Sequence, residues 1–272
     1  MTMKVWELIQ RLDDVLPFRW TEEWDNTGLN LGNPEDDVTG IAVSLDPDIR
    51  AMEQAVGGGC NLLISHHPLL FAPSKVIDLS DSPGREIAFA VRKGLSLIAL
   101  HTNWDSSPGG VSALLASSMG LQNVLPLIPS DRGAWGMGAV GDSPSLESPD
   151  VFAARMGECL GLSRVEVYGD RERPIRRLAL CGGSGGALWR SALDAGADAY
   201  CTADMKYHEK KEATERGLRL FVLDHGEMEA HSLGALRGLL EENLSMPVLP
   251  VGTLPDPPMI LQRPDRADSR PV

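Results

Sequence analysis

Thiol chemistry has little to work with in this 272-residue chain, whose four cysteines (Cys60, Cys159, Cys181 and Cys201) are scattered without a C-x-x-C pair. That excludes a thiolate zinc site and a disulfide-stapled scaffold, and leaves reduced thiols as the expectation. Positive charge is also short. Asp and Glu number 38 against 25 Lys and Arg, a net charge of −13. In bulk such a surface repels nucleic acid and anionic membrane, both of which need a basic face. No uncharged apolar run reaches the roughly 18 residues that cross a bilayer. The opening MTMKVWELIQRLDD reads as an amphipathic helix with acid in it rather than a secretory leader, so a cytoplasmic protein is expected. Aromatic residues are few, at 5 Phe, 6 Trp and 3 Tyr, and no fixed-period repeat is present.

What the chain does have is a 43% hydrophobic content arranged in short apolar runs between helical patterns. Strands are expected over 39–45, 60–65, 95–100, 177–181, 199–202 and 218–223. Helices are expected over 47–56, from Ser82-Pro83 to Lys93 with Gly94 as the stop, over 110–119, and up to Ala195 and Arg216. Fully apolar short strands separated by helices predict an α/β protein of two interlinked lobes, with mainly parallel sheets flanked by helices. Residues 126–149, rich in Pro, Ser and Gly, read as the crossing between lobes. The expected division is a metal-binding lobe of 1–125 plus about 221–261, a second α/β lobe of about 126–220, and a disordered tail over 262–272.

Histidine placement carries the chemistry. His66 and His67 follow one strand directly, His101 follows another, and His225 comes one residue after a third. Ligands of open α/β sheets bind outside the carboxyl ends of the strands, so three strands deliver imidazoles to one edge. Asp105 lies just past a strand end, and Glu229 is one helical turn from His225. Pro68 holds His67 in extended or turn geometry, which lets the neighbouring rings splay. His66, His67, Asp105, His225 and Glu229 form an imidazole–carboxylate set suited to zinc, iron, manganese or nickel. Five such donors suit two divalent ions better than one, roughly 3.5–4 Å apart across a bridging carboxylate. Glu229 is the candidate bridge. His101 reads as a supporting or proton-transfer group, and His208 as a residue that approaches from the second lobe. Asp25 and Asn26 line the cavity or make a turn, and Gly182 to Gly186 is either a phosphate cradle or a close-packed turn.

Taken in order, Glu23-Trp24-Asp25-Asn26-Thr27-Gly28-Leu29, Ser65-His66-His67-Pro68 with Phe71, and His101-Thr102-Asn103-Trp104-Asp105 have a familiar pattern. It continues through Cys181-Gly182-Gly183-Ser184-Gly185-Gly186, Thr202-Ala203-Asp204-Met205-Lys206-Tyr207-His208, and His225 with Glu229. The chain resembles the NIF-three-like family, known also as the GTP cyclohydrolase 1 type 2 homologue family, from about residue 4 to 250. The resemblance implies a two-lobed α/β fold, a dinuclear metal site on the same five residues, and a homo-oligomer, often a hexameric ring. It also implies the short form without an inserted domain. One position departs: the family's Gly-His reads Asp224-His225 here, with the spacing to Glu229 intact. The function expected is metal-assisted hydrolysis of a nucleotide or phosphoester; the alternative is a non-enzymatic metal-handling protein or interaction scaffold. Nothing in the sequence itself reads a guanine.

Overall fold

The computed structural model describes residues 3–133 and 135–255, so the tail expected over 262–272 lies outside the described residues. A first sheet has the strand order Gly28–Leu31, Ser96–Ala99, Leu62–Ser65, Ile41–Ser44, Val248–Pro250. Its last four strands are parallel, and Gly28–Leu31 is antiparallel at the edge. The segments IAVS, LLIS and SLIA are buried at every position. Crossover helices cover both faces of a parallel sheet, so both faces must be apolar. Those helices begin and end where the local chemistry dictates. Asp48 caps Ile49–Gly57 by accepting from the Ala51 amide at 2.7 Å. Gly94 stops Gly84–Lys93 in the left-handed region at φ +62°.

The second sheet has the order Gln122–Leu125, Ala139–Glu147, Ile175–Leu180, Ala199–Thr202, Arg219–Leu223, Val165–Tyr168. Ile175–Leu180, Ala199–Thr202 and Arg219–Leu223 form its parallel centre, and the outer strands are antiparallel. The architecture is a mixed α/β fold with helix-flanked sheets. One apolar cluster joins the sheets, with Ile64, Ile98 and Leu100 from the first and Leu178, Leu180 and Phe221 from the second. The N-terminal helix Val5–Val15 adds Val5, Leu8 and Leu12 to it, each worth about 1.5–3 kcal/mol of apolar burial.

Two boundaries differ from the expected ones. Gln122–Leu125 and Arg219–Leu223 both pair within the second sheet; the helix Leu233–Leu244 then packs back on Val5–Val15 and on Ile41–Ser44, and Val248–Pro250 joins the first sheet as an edge strand. Residues 126–149 are not a plain crossing either, because Ala139–Glu147 is a strand of the second sheet. Its Pro144 hid it. The pairing to Ile175–Leu180 is irregular between Asp142 and Glu147, which places the proline where no ladder donor is needed. Among the described residues no helix is long and apolar enough to cross a membrane.

Candidate metal centre

The parallel register of the first sheet builds half of the site. Ser44 pairs with Ser65, and Ser65 with Ala99. Two residues further along each strand, Asp46, His67 and His101 therefore reach the same level. One residue along, the His66 amide donates to Ser44 O and the Leu100 amide to Ser65 O, which continues the ladder past the strand ends. The second sheet supplies the other half in the same way, with Asp204 just past Ala199–Thr202 and His225 just past Arg219–Leu223. Asp224, the departure noted in the sequence, caps His225–Ala230 by accepting from the Glu227 amide at 3.0 Å. That cap fixes His225 and Glu229 one turn apart on the same helix.

Each imidazole is held by its Nδ1. His66 donates to the Leu100 carbonyl at 3.0 Å, His67 pairs with Asp46 at 2.8 Å, and His101 with Asp25 at 2.8 Å. His225 Nδ1 pairs with Asp204. An oxygen acceptor at Nδ1 leaves Nε2 of the neutral ring as a lone pair, the arrangement typical of metal-binding histidine. The Nε2 atoms converge on carboxylates. His66 Nε2 is 3.6 Å from Glu229 Oε1 and 3.8 Å from Asp105 Oδ1. On the other side, Glu229 Oε2 is 2.8 Å from His67 Nε2 and 3.1 Å from His225 Nε2. Donor atoms of His66, His67 and His101 lie within 4.8 Å of one another, as do those of His67, His225 and Glu229.

These contacts are close without being hydrogen bonds. His66 Nε2, Asp105 Oδ1 and Glu229 Oε2 are buried with no hydrogen-bond partner among the described residues. His66 is 1% exposed, Glu229 3% and Asp105 8%. An unsatisfied buried group costs about 1–3 kcal/mol and a charged one more, so His66 Nε2 and Asp105 Oδ1 on one side of Glu229, and its own Oε2 on the other, carry a cost that a bound cation would relieve. The residues present fit a metal.

The electrostatics show the strain of the metal-free cluster. Burial pushes Asp105 above the ordinary carboxylate range, and the neighbouring Glu229 charge adds to it. Burial would also raise Glu229, but the surrounding His66, His225 and His67 hold it well below that range. Burial would lower His67, and Asp46 and Glu229 outweigh it and raise the ring to about 10. Glu229, helped by Asp204, raises His225 to about 9 against burial.

The side chains of His66, His67, Asp105, His225 and Glu229 thus stand together, and His101, expected as a supporting group, has a ring nitrogen within 4.8 Å of donor atoms of His66 and His67. His208 does not join. It is exposed on helix Tyr207–Glu215, its ring against Tyr207 with centroids 5.1 Å apart. The next residue, Glu209, faces the glycine loop instead, 2.9 Å from where a Cβ on Gly186 would stand. Asp25 does not line the cavity. Its carboxylate is spent on His101 and on Thr102, whose hydroxyl donates to it at 2.6 Å. The Gly182–Gly186 segment is a close-packed turn at the wall of the site. Gly183, at φ +62°, lies where a Cβ would come 2.1 Å from Glu229 Oε1. Asp46 and Asp204 were not foreseen as partners, although Asp46 follows its strand just as His67 does. Asp46→Ala should weaken metal binding about 10–100-fold with the fold retained, since the side chain is half exposed. Competition against a chromophoric chelator reads this directly, and unchanged affinity would remove Asp46 from the site.

Comparison with known proteins gives the family. The family model described as Duf34/NIF3 (NGG1p interacting factor 3) matches residues 3–256. A Streptomyces coelicolor protein named GTP cyclohydrolase 1 type 2 homolog is 35% identical over 212 residues, covering 76% of this chain and 74% of its own length. A Clostridium perfringens protein of the same name is 30% identical over 229 residues, 84% and 87% of the two chains. The crystal structure of a Staphylococcus aureus hypothetical protein superposes with a TM-score of 0.89 at 27% identity, covering 96% of this chain and all of the other. The chain belongs to the DUF34/NIF3 family.

Proposed function

We propose that the chain is a dinuclear metal-dependent hydrolase acting on a nucleotide or phosphoester. The observation that carries this reading is the division of Glu229. Its Oε1 faces His66, which also contacts Asp105, and its Oε2 faces His67 and His225. Two donor groups sharing one carboxylate match the demand of two ions. His66, His67, Asp105, His225 and Glu229 would hold the ions, with His101 at their edge. When bound, two divalent ions supply Lewis acidity, activating water near neutral pH and polarising a substrate oxygen. The chain's own part is to fix each imidazole through its Nδ1 partner and to wall the donors in a cleft. The names carried by its curated relatives point to nucleotide chemistry.

The burial of His66, Asp105 and Glu229 favours a resident centre over a metal carrier, which would need exposed and exchangeable ligands. Metal analysis of the full chain should find two divalent ions, and a panel of phosphoesters and nucleotides should show turnover that a chelator abolishes and the metal restores. Two ions without turnover on any member of the panel would reject the hydrolase and favour the metal-handling alternative.

A further inference from the structure

The cleft over the donors has a volume of about 460 Å³, the size of a small-molecule site. Its floor is the donor set and its mouth is aromatic. Trp24 is 59% exposed and Phe71 57%, with ring centroids 5.8 Å apart and planes inclined by 49°. Each also meets the His101 ring edge-on, at 6.2 Å and 6.1 Å. Across the cleft stand Ile128 and Met137, paired in a short two-stranded sheet, and Leu188. A chain poor in aromatics thus leaves two large rings exposed at the cleft that carries its histidine–carboxylate cluster. Exposed aromatic faces in such a place are stacking surfaces for a planar ligand.

The charge of the lining limits what that ligand carries. Among the described residues, no Lys or Arg lines this cleft, and Glu22 adds a further carboxylate to Asp105 and Glu229. Arg132, in the adjoining groove, is already paired with Glu23 at 2.6 Å. Polyphosphates are held by cationic side chains, with Arg forks and P-loop lysines the usual means. Two divalent ions set against Asp105, Glu229 and Glu22 leave one net positive charge, enough to favour a single phosphate and too little for a chain of three.

Resting on the hydrolase reading above, we propose that this site takes a compact substrate with a planar ring seated on Trp24 and Phe71 and at most one anionic group directed at the metal donors. A nucleoside or nucleoside monophosphate fits that description; a nucleoside triphosphate does not.

Isothermal titration of the full-length, zinc-loaded chain tests this, with zinc content measured after each run. The probes are the nucleoside, monophosphate and triphosphate of the adenine and guanine series, with ribose 5-phosphate as the ringless control. In at least one series the monophosphate should bind about tenfold or more tighter than the triphosphate, and ribose 5-phosphate about fivefold or more weaker than the monophosphate. Trp24→Leu and Phe71→Leu should each weaken the monophosphate about fivefold or more at unchanged zinc content, and Trp24→Phe should recover most of the loss. Both side chains are exposed enough that folding is not at risk. Triphosphates binding as tightly as monophosphates in both series, Leu variants that bind like the wild type, or no binding by any ring-bearing probe would each overturn the proposal. Because binding is read without turnover, a chain that shows this pattern yet hydrolyses nothing loses only the hydrolase reading. A chain that hydrolyses phosphoesters but prefers triphosphates loses only this one.

Discussion

If the centre holds two ions as proposed above, Glu229→Gln is expected to leave the chain with none, the largest effect of any single substitution there. The carboxylate presents Oε1 to His66 and Oε2 to His67 and His225. An amide keeps one neutral acceptor oxygen, turns donor protons toward two imidazoles, and removes the negative charge that lies between them. Asp105→Asn should behave differently, because Asp105 contacts only His66 among the imidazoles. One ion should be weakened and the other retained. Elemental analysis of the two purified variants separates these outcomes. If Glu229→Gln keeps both ions while Asp105→Asn loses both, the bridging role belongs to Asp105.

The second large effect is on pH. With His67 raised to about 10 and His225 to about 9, both rings are protonated in the metal-free chain at neutral pH. A metal needs both Nε2 lone pairs, so loading the centre must expel at least two protons. Apparent overall affinity should then climb about 100-fold per pH unit from pH 7 to 8 and less steeply as pH passes the His225 value near 9. The sign for stability without metal is the reverse. A group whose pKa is higher folded than unfolded stabilises fully below its unfolded value, here 6.5, and that contribution is lost as pH rises through the folded value. Chelator-treated protein should lose thermal stability from pH 7 to 10, while metal-loaded protein should stay nearly level over pH 7 to 9, because the protons expelled on loading are the ones whose loss destabilises the empty centre. Calorimetric titration in buffers of different ionisation enthalpy counts the protons. Release of fewer than one per chain would mean that the rings are neutral before the metal arrives.

The donors were legible in the sequence because each stands beside a strand that announces itself. LLIS, SLIA and RLFVL are apolar runs buried at every position, and a histidine at the end of such a run is placed by the run. The edges of the sheets were not legible. GLNL and QNVL mix polar with apolar residues, and Ala139–Glu147 contains Gly141, Asp142 and Pro144, so none shows a strand period. The anchors Asp46 and Asp204 depend on register between strands far apart in sequence, which no local pattern encodes. The position of His208 depends on helical phase. A helix start displaced by one residue turns a side chain by about 100°, and it is Glu209 that meets the loop.

The glycine at 183 has a mechanical consequence. Glu229 has an oxygen with no hydrogen bond to hold it, yet a wall of bare backbone stands on the Oε1 side, too near for even a methyl group. The carboxylate is aimed by exclusion: the rotation that would carry it toward the second sheet's loop is closed to it. A ligand with nowhere to swing cannot follow one ion as the other departs. On the two-ion reading proposed above, the His66–Asp105 side and the His67–His225 side are geared to each other through this single side chain, and emptying of one side is expected to be felt at the other.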